Sequence, residues 1–122
     1  MARSASAAQT AADPLLHVLM GTLVASVRSD GPDLTARQLA VYLKVYLEPG
    51  TEHTVRGLAA ILDISKPAIT RALDRLEELD FTKRETDRND RRSVFARRTP
   101  AGSTYLRTLA GYMADASNPA KR

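Results

Sequence analysis

Residues 54–79 read TVRGLAAILDISKPAITRALDRLEEL, two amphipathic segments of helical period separated by Asp63-Ile64. Thr54 stands where an N-cap is needed, before a short helix whose inward residues are Val55, Leu58, Ala59 and Leu62. After the Asp63-Ile64 turn, Ser65 caps a second helix, with Pro67 in its first turn. Ile69, Leu73, Leu76 and Leu79 recur at spacings of three and four and form its core stripe. The opposite stripe is polar: Lys66, Thr70, Arg71, Asp74, Arg75 and Glu78. A helix, a tight turn and a second helix form the device in which the first helix braces the second against a DNA duplex. The second then offers its N-terminal polar side chains to base edges in the major groove. Ser65–Leu79 is the expected groove-entering helix, with Ser65, Lys66, Pro67, Thr70, Arg71 and Arg75 as its DNA-binding residues. Asp74, Glu77 and Glu78 would repel phosphate and belong on its flank or its C-terminal half.

Downstream of Asp80 the period changes. Phe81–Asp87 and Ser93–Thr99 read as two short strands joined by the polar turn Arg88–Arg92. Residues 82–98 hold seven basic side chains (Lys83, Arg84, Arg88, Arg91, Arg92, Arg97, Arg98) and three acidic ones. The other residues carry eleven of each sign, so the whole net charge of +4 lies in this one segment. A basic patch on a neutral body is the electrostatic footprint of a polyanion binder. The hairpin can lie beside the duplex, its arginines meeting phosphates or entering the minor groove. A capped amphipathic helix alone, or a charged hairpin alone, is more often a plain solvated element. Their order in one chain is what points to DNA.

Upstream, Met1–Ala12 is Ala/Ser-rich without periodicity and is expected to be a disordered tail. Asp13-Pro14 reads as a helix start, and Leu16, Leu19, Met20, Leu23, Val24 and Val27 make one apolar face to about Arg28. Gly31-Pro32 breaks it. Thr35 and Gln38 form a capping box before a helix with Leu39, Tyr42, Leu43, Tyr46 and Leu47 as its apolar face, ended by Pro49-Gly50. A last helix starts at Thr99-Pro100 and carries Tyr105, Leu106, Leu109, Tyr112 and Met113. Asn118-Pro119 ends it, leaving residues 118–122 as a loose tail. The expected organisation is a single domain over residues 13–117 whose terminal helices serve dimerisation. The expected fold class is mainly α with a small β-hairpin wing, a winged helix-turn-helix.

Composition agrees. Hydrophobic residues are 43% of the chain, with four Tyr, two Phe and no Trp, so the core is aliphatic. The absence of Cys excludes a disulfide framework, a zinc ribbon and a thiol redox sensor. No secretory signal is evident. The 13-residue apolar run Leu15–Val27 is interrupted by His17, Thr22 and Ser26, and falls short of the ~20 residues that span a bilayer. The expected compartment is the cytoplasm. His17 and His53 are isolated, without a second metal ligand at helical spacing, and no phosphate loop or nucleophile motif appears. No enzyme, metal or cofactor is therefore expected. Tyr42, Tyr46, Tyr105 and Tyr112 could line an aromatic-ligand pocket but are more often core or interface residues.

Six segments in this order resemble the MarR family of winged-helix transcription regulators. They are Leu34-Thr35-Ala36-Arg37-Gln38, Val55-Arg56-Gly57-Leu58-Ala59, Ile64–Arg71, Leu73-Asp74-Arg75-Leu76-Glu77, Asp90-Arg91-Arg92-Ser93 and Thr99-Pro100-Ala101-Gly102. The similarity covers Leu34–Leu109, and the ordered set is far more specific than any one piece. It implies that Thr70 and Arg71 meet the major groove, that Arg92 reaches the minor groove, and that Asp90 holds Arg92 in place. The wing residues then expected at DNA are Arg84, Arg88, Asp90, Arg91, Arg92 and Ser93. The resemblance also implies a homodimer built from both chain ends, and a small-molecule effector of unidentified chemistry between that interface and the DNA-binding lobe.

The chain departs from the family pattern in places. Asp63 and Asp80 stand where the family usually has Gly, and both need a left-handed backbone. Arg98 stands where an aliphatic residue is common. Twenty residues follow Gly102, a shorter C-terminal part than usual, so dimerisation is expected to rest mainly on Pro14–Arg28. The function expected is a sequence-specific regulator binding double-stranded DNA, a repressor acting as a dimer on an inverted repeat. The alternative is a winged-helix module for protein assembly or non-specific DNA architecture, and competition against random duplex separates the two.

Overall fold

Short-range hydrogen bonds set most of the element boundaries. The structure, a computed structural model, describes residues 2–48 and 52–121, with side chains from Asp13 onward. Its elements are α1 (Ala2–Arg28), α2 (Ala36–Leu47), α3 (Val55–Leu62), α4 (Lys66–Glu78), β1 (Thr82–Thr86), β2 (Val94–Arg98), α5 (Pro100–Ser117) and a 3₁₀ turn (Pro119–Lys121). The Thr35–Gln38 capping box forms in both directions, at 2.9 and 3.1 Å. Thr54 accepts from the Gly57 N–H and Ser65 from the Ala68 N–H. Each cap satisfies an amide that the first helical turn leaves without a partner.

Two boundaries differ from expectation. α1 begins at Ala2 rather than at Asp13, so residues 2–12 continue the helix instead of forming a tail. Six alanines in that stretch, the best helix former, carry the helix through Pro14 despite its missing N–H. The C-terminal tail winds into the 3₁₀ turn, where the Lys121 ammonium lies 2.9 Å from the Asp115 carboxylate. The expected helix stop at Pro49-Gly50 lies outside the described residues; α2 ends at Leu47 with Glu48 as its cap.

Contacts divide the chain into two compact units where one domain was expected. One runs from Leu34 to Leu106 and holds the winged helix; the other joins the residues up to Asp33 with those from Arg107 onward. In the winged unit, Tyr42, Leu58, Ile69, Leu73 and Leu76 have no exposed surface. Leu79 is only half-buried, and Ala68 and Ala72 complete the α4 core stripe. On α2 the buried residues are Val41, Tyr42, Val45 and Tyr46, while Leu47 is exposed. Apolar residues surround this helix on several sides, so its periodicity alone does not select the Val41–Val45 row.

Tyr42, Tyr46 and Tyr105 are structural. Tyr42 donates to the Gly102 carbonyl and Tyr46 to the Phe81 carbonyl, each at 2.6 Å, and the Thr99 N–H donates to the Tyr46 hydroxyl at 3.0 Å. Phe81 and Tyr105 stack with centroids 4.5 Å apart. Burial, with the neighbouring Tyr46 and Tyr105 hydroxyls, pushes the Tyr42 phenol well above its usual range, so it remains a donor.

Thr82 opens β1 with 1% exposure, and its hydroxyl has no hydrogen-bond partner among the described residues. A buried unpaired hydroxyl is destabilising. Thr82→Val keeps the shape and removes it, so the urea midpoint should rise, by about 1 kcal/mol of stability. A lower midpoint would mean that a buried water serves the hydroxyl.

In the terminal-helix unit, a β-carbon added at Gly21 would sit 2.6 Å from the Ala116 Cβ, so the small residue allows α1 to approach α5 closely. A cavity of about 290 Å³ is lined there by His17, Met20, Arg28, Tyr112, Asp115 and neighbouring residues. Among the described residues no helix is long and apolar enough to cross a membrane.

Candidate nucleic-acid interface

The turn between α3 and α4 depends on Asp63, whose φ of 54° is left-handed and whose N–H donates back to the Ala59 carbonyl. Asp80 does the same work between α4 and β1 with φ 60°, and the Phe81 N–H closes that turn onto the Leu76 carbonyl at 2.8 Å. Glycine would adopt both conformations without steric cost, and Asp is among the side chains that tolerate them best. Together the two turns set the direction of α4 and the start of the wing.

α4 buries Ile69, Leu73 and Leu76, which leaves Ser65, Lys66, Pro67, Thr70 and Arg71 exposed. Arg75 is half-buried and pairs with Glu78 at 3.3 Å, so it is drawn along the helix. β1 and β2 pair antiparallel, from Thr82 opposite Arg98 to Thr86 opposite Val94, one residue shorter at each end than expected. The Asp87 N–H donates to the Ser93 carbonyl at 2.9 Å and closes the ladder.

At the tip, Asp90 works first as a turn cap. Its carboxylate accepts from the Arg92 backbone N–H at 3.1 Å and from the Ser93 hydroxyl at 3.4 Å. The Arg92 guanidinium approaches through Nε alone, at 3.4 Å, and its side chain is 86% exposed. The bidentate pair that would hold Arg92 rigidly is not formed. The Arg92 N–H, then its guanidinium and the Ser93 hydroxyl, hold the Asp90 carboxyl below its usual range, with Arg56 adding charge from α3.

The basic residues of the wing divide into two groups. Lys83, Arg88, Arg91, Arg92 and Arg98 are exposed. Arg97 is engaged with Glu52 and Glu85 at 3.3 and 3.4 Å and lies over the Phe95 ring. Arg84 turns to α4 and does not stand at the tip. Its Nη2 is 2.6 Å from Glu77 and 2.7 Å from Asp74, and its Nε donates to Glu77 at 2.8 Å. Burial opposes the Arg84 charge, but the hydrogen bonds to Glu77 and Asp74 outweigh it and raise its pKa further.

Lys66, Thr70, Arg84, Arg92 and Ser93 come together around one cleft of about 350 Å³ between α4 and the wing. Its lining also includes Thr54 and Arg56, at the start of α3. Four of the nine lining residues are basic and none is acidic. Arg71, Arg75, Arg88 and Arg91 are not among its lining residues. Sequence reasoning missed Arg56; its position in the first turn of a helix capped by Thr54 was the available signal, since helix N-termini attract anions. It also missed His53, which is 5% exposed. The His53 carbonyl accepts from the Ala96 N–H at 2.7 Å, its ring nitrogen lies 3.0 Å from the Glu48 carbonyl, and Thr54 bridges to Phe95. This segment fastens the start of α3 to β2 and so forms one side of the cleft.

A family model described as "MarR family" matches residues 33–94, just over half of the chain. No curated protein matches the sequence. Among solved structures, the transcriptional regulator Tm0710 from Thermotoga maritima is similar at 21% identity and a TM-score of 0.72, covering 88% of this chain and 72% of its own. The YusO protein from Bacillus subtilis is similar at 19% identity and a TM-score of 0.68, covering 93% and 78%. A structure of MarR is similar at 29% identity and a TM-score of 0.59, covering 68% of this chain and 59% of its own, less than two thirds of its length.

Proposed function

From its place in the MarR family, to which this chain belongs as a winged-helix transcriptional regulator, we propose that it binds double-stranded DNA sequence-specifically as a homodimer and acts as a repressor. The observation that carries this reading is the cleft in which Lys66 and Thr70 of α4 meet Arg92 and Ser93 of the wing with no acid among them. A backbone phosphate is the group such a lining favours. With a phosphate seated there, α4 faces the major groove and the exposed wing arginines face the neighbouring minor groove. Thr70 and Arg71 are the base readers; Lys66 and Arg56 hold the backbone. A half-site engaged in both grooves excludes other proteins, which is how bound dimer represses.

The second recognition helix comes from a second copy. α1 presents seven apolar side chains between Leu15 and Val27, each at least 40% exposed, more than a monomer ordinarily leaves in water. Two copies related by a two-fold axis read an inverted repeat with half-site centres about 10 bp apart.

Selection of bound sites from a random duplex pool tests the reading directly. An inverted repeat is expected, with affinity falling steeply as salt rises. Thr70→Ala and Arg71→Ala should each lose roughly 1–3 kcal/mol of preference for the selected site over random duplex, with thermal unfolding unchanged. Enrichment of no sequence, with undiminished binding to random duplex, would instead indicate a non-specific architectural module.

A further inference from the structure

We propose that Arg84 is a positioning residue for DNA binding: it ties the wing to α4 and screens that helix's carboxylates from phosphate, and it is not itself a phosphate contact. The inference rests on the DNA-binding reading above. The helix that carries Thr70 also carries Asp74, one turn later on the same face, and Glu77 beside it. Left alone, two carboxylates at this place repel the backbone that Lys66 and Arg56 attract.

Arg84 meets both acids. It sits at the centre of β1, opposite Ala96, so its anchor is the most firmly paired part of the wing. The Nε and Nη2 edge closes on Glu77 at 2.8 and 2.6 Å, and Nη2 is shared with Asp74 at 2.7 Å. Its side chain is 29% exposed, against 86% for Arg92. A guanidinium engaged along that edge by two carboxylates is fixed in direction, as a lysine ammonium would not be. The triad carries a net charge of −1, and losing Arg84 would leave −2 at the border of the cleft. The same loss would free the hairpin from the helix it is aligned with. A phosphate-binding arginine behaves differently, because its contribution does not depend on Asp74 or Glu77.

The test compares four proteins on the selected duplex at two salt concentrations: wild type, Arg84→Ala, Asp74→Asn with Glu77→Gln, and the triple variant. Arg84→Ala is expected to bind about tenfold more weakly. The triple variant, which lacks the tie but also the unscreened carboxylates, should recover about half of that loss, to about threefold below wild type. The carboxylate pair alone, which loosens the tie but adds net positive charge, should lie between the triple variant and wild type. Equal losses in the single and triple variants, with the salt slope lowered by about one unit in both, would make Arg84 a phosphate contact and overturn the inference. If Arg84→Ala is too unstable to assay, Arg84→Glu combined with Glu77→Arg asks the same question. Exchange of the charges restores binding if the pair is what matters, and leaves it lost if a cation is required at position 84. Wild type failing to bind any duplex would sink the DNA reading and this inference with it, whereas unequal salt behaviour among the variants bears on the inference alone.

Discussion

Gly102→Ala is expected to destabilise the winged unit by about 3 kcal/mol, although alanine is the better helix former. Gly102 lies in the first turn of α5, where the substitution should add up to ~1 kcal/mol of helix propensity. Packing decides against it. A β-carbon there would collide with the Tyr46 hydroxyl and the Phe81 carbonyl, which are hydrogen-bonded to each other. The Tyr46 hydroxyl also receives the Thr99 N–H, and the Gly102 carbonyl receives Tyr42, so the clash cannot be relieved without opening buried hydrogen bonds. A domain of this size has roughly 5–15 kcal/mol to lose. Urea unfolding followed by circular dichroism measures the loss, and Tyr46→Phe in the Gly102→Ala background should recover part of it. A midpoint for Gly102→Ala within 0.5 kcal/mol of wild type (about the additivity error of such comparisons) would mean that α5 shifts freely at its start.

Leu16→Glu combined with Leu23→Glu is expected to give a monomer that binds the selected inverted repeat about a hundredfold more weakly. The two positions are seven residues apart on one face of α1 and are 57% and 49% exposed in the single chain. The substitutions therefore leave the isolated chain nearly unperturbed. In a dimer they bury carboxylates against apolar surface, which is prohibitive without partners. Loss of the second recognition helix removes the gain of linking two half-sites, ~10²–10⁴-fold in favourable geometries. Light scattering reads the mass and a titration of full and half sites reads the affinity. A variant that stays dimeric would put the interface elsewhere. A monomer binding the full repeat as tightly as wild type would remove the two-fold from the proposed function.

Much of the fold was legible because it is local. Thr35, Thr54 and Ser65 cap within three residues of themselves, and the Asp63 and Asp80 turns close within five. The hairpin strands were placed to within a residue at each end. Where local signals conflicted, the reading failed. Asp13-Pro14 imitates a helix start inside a helix that the alanines before it extend to Ala2. α2 carries apolar residues on more than one face, so the row it buries depends on what packs against it.

The candidate site divides along the same line. The amino-acid sequence determined which α4 residues face outward, because burying Ile69, Leu73 and Leu76 at helical spacing exposes Lys66, Thr70 and Arg71. It also located the whole net charge in the wing segment. Tertiary structure decided which charges are spoken for. Arg84 and Arg92 look alike in composition and spacing, yet one is held by two carboxylates of α4 and the other stands almost free at the tip. Arg56, to which the sequence assigns no contact, joins the cleft from the start of α3. Periodicity shows whether a side chain points inward or outward; its partner is set by how separate elements pack, and a guanidinium's long stem can meet acids on any element within its reach.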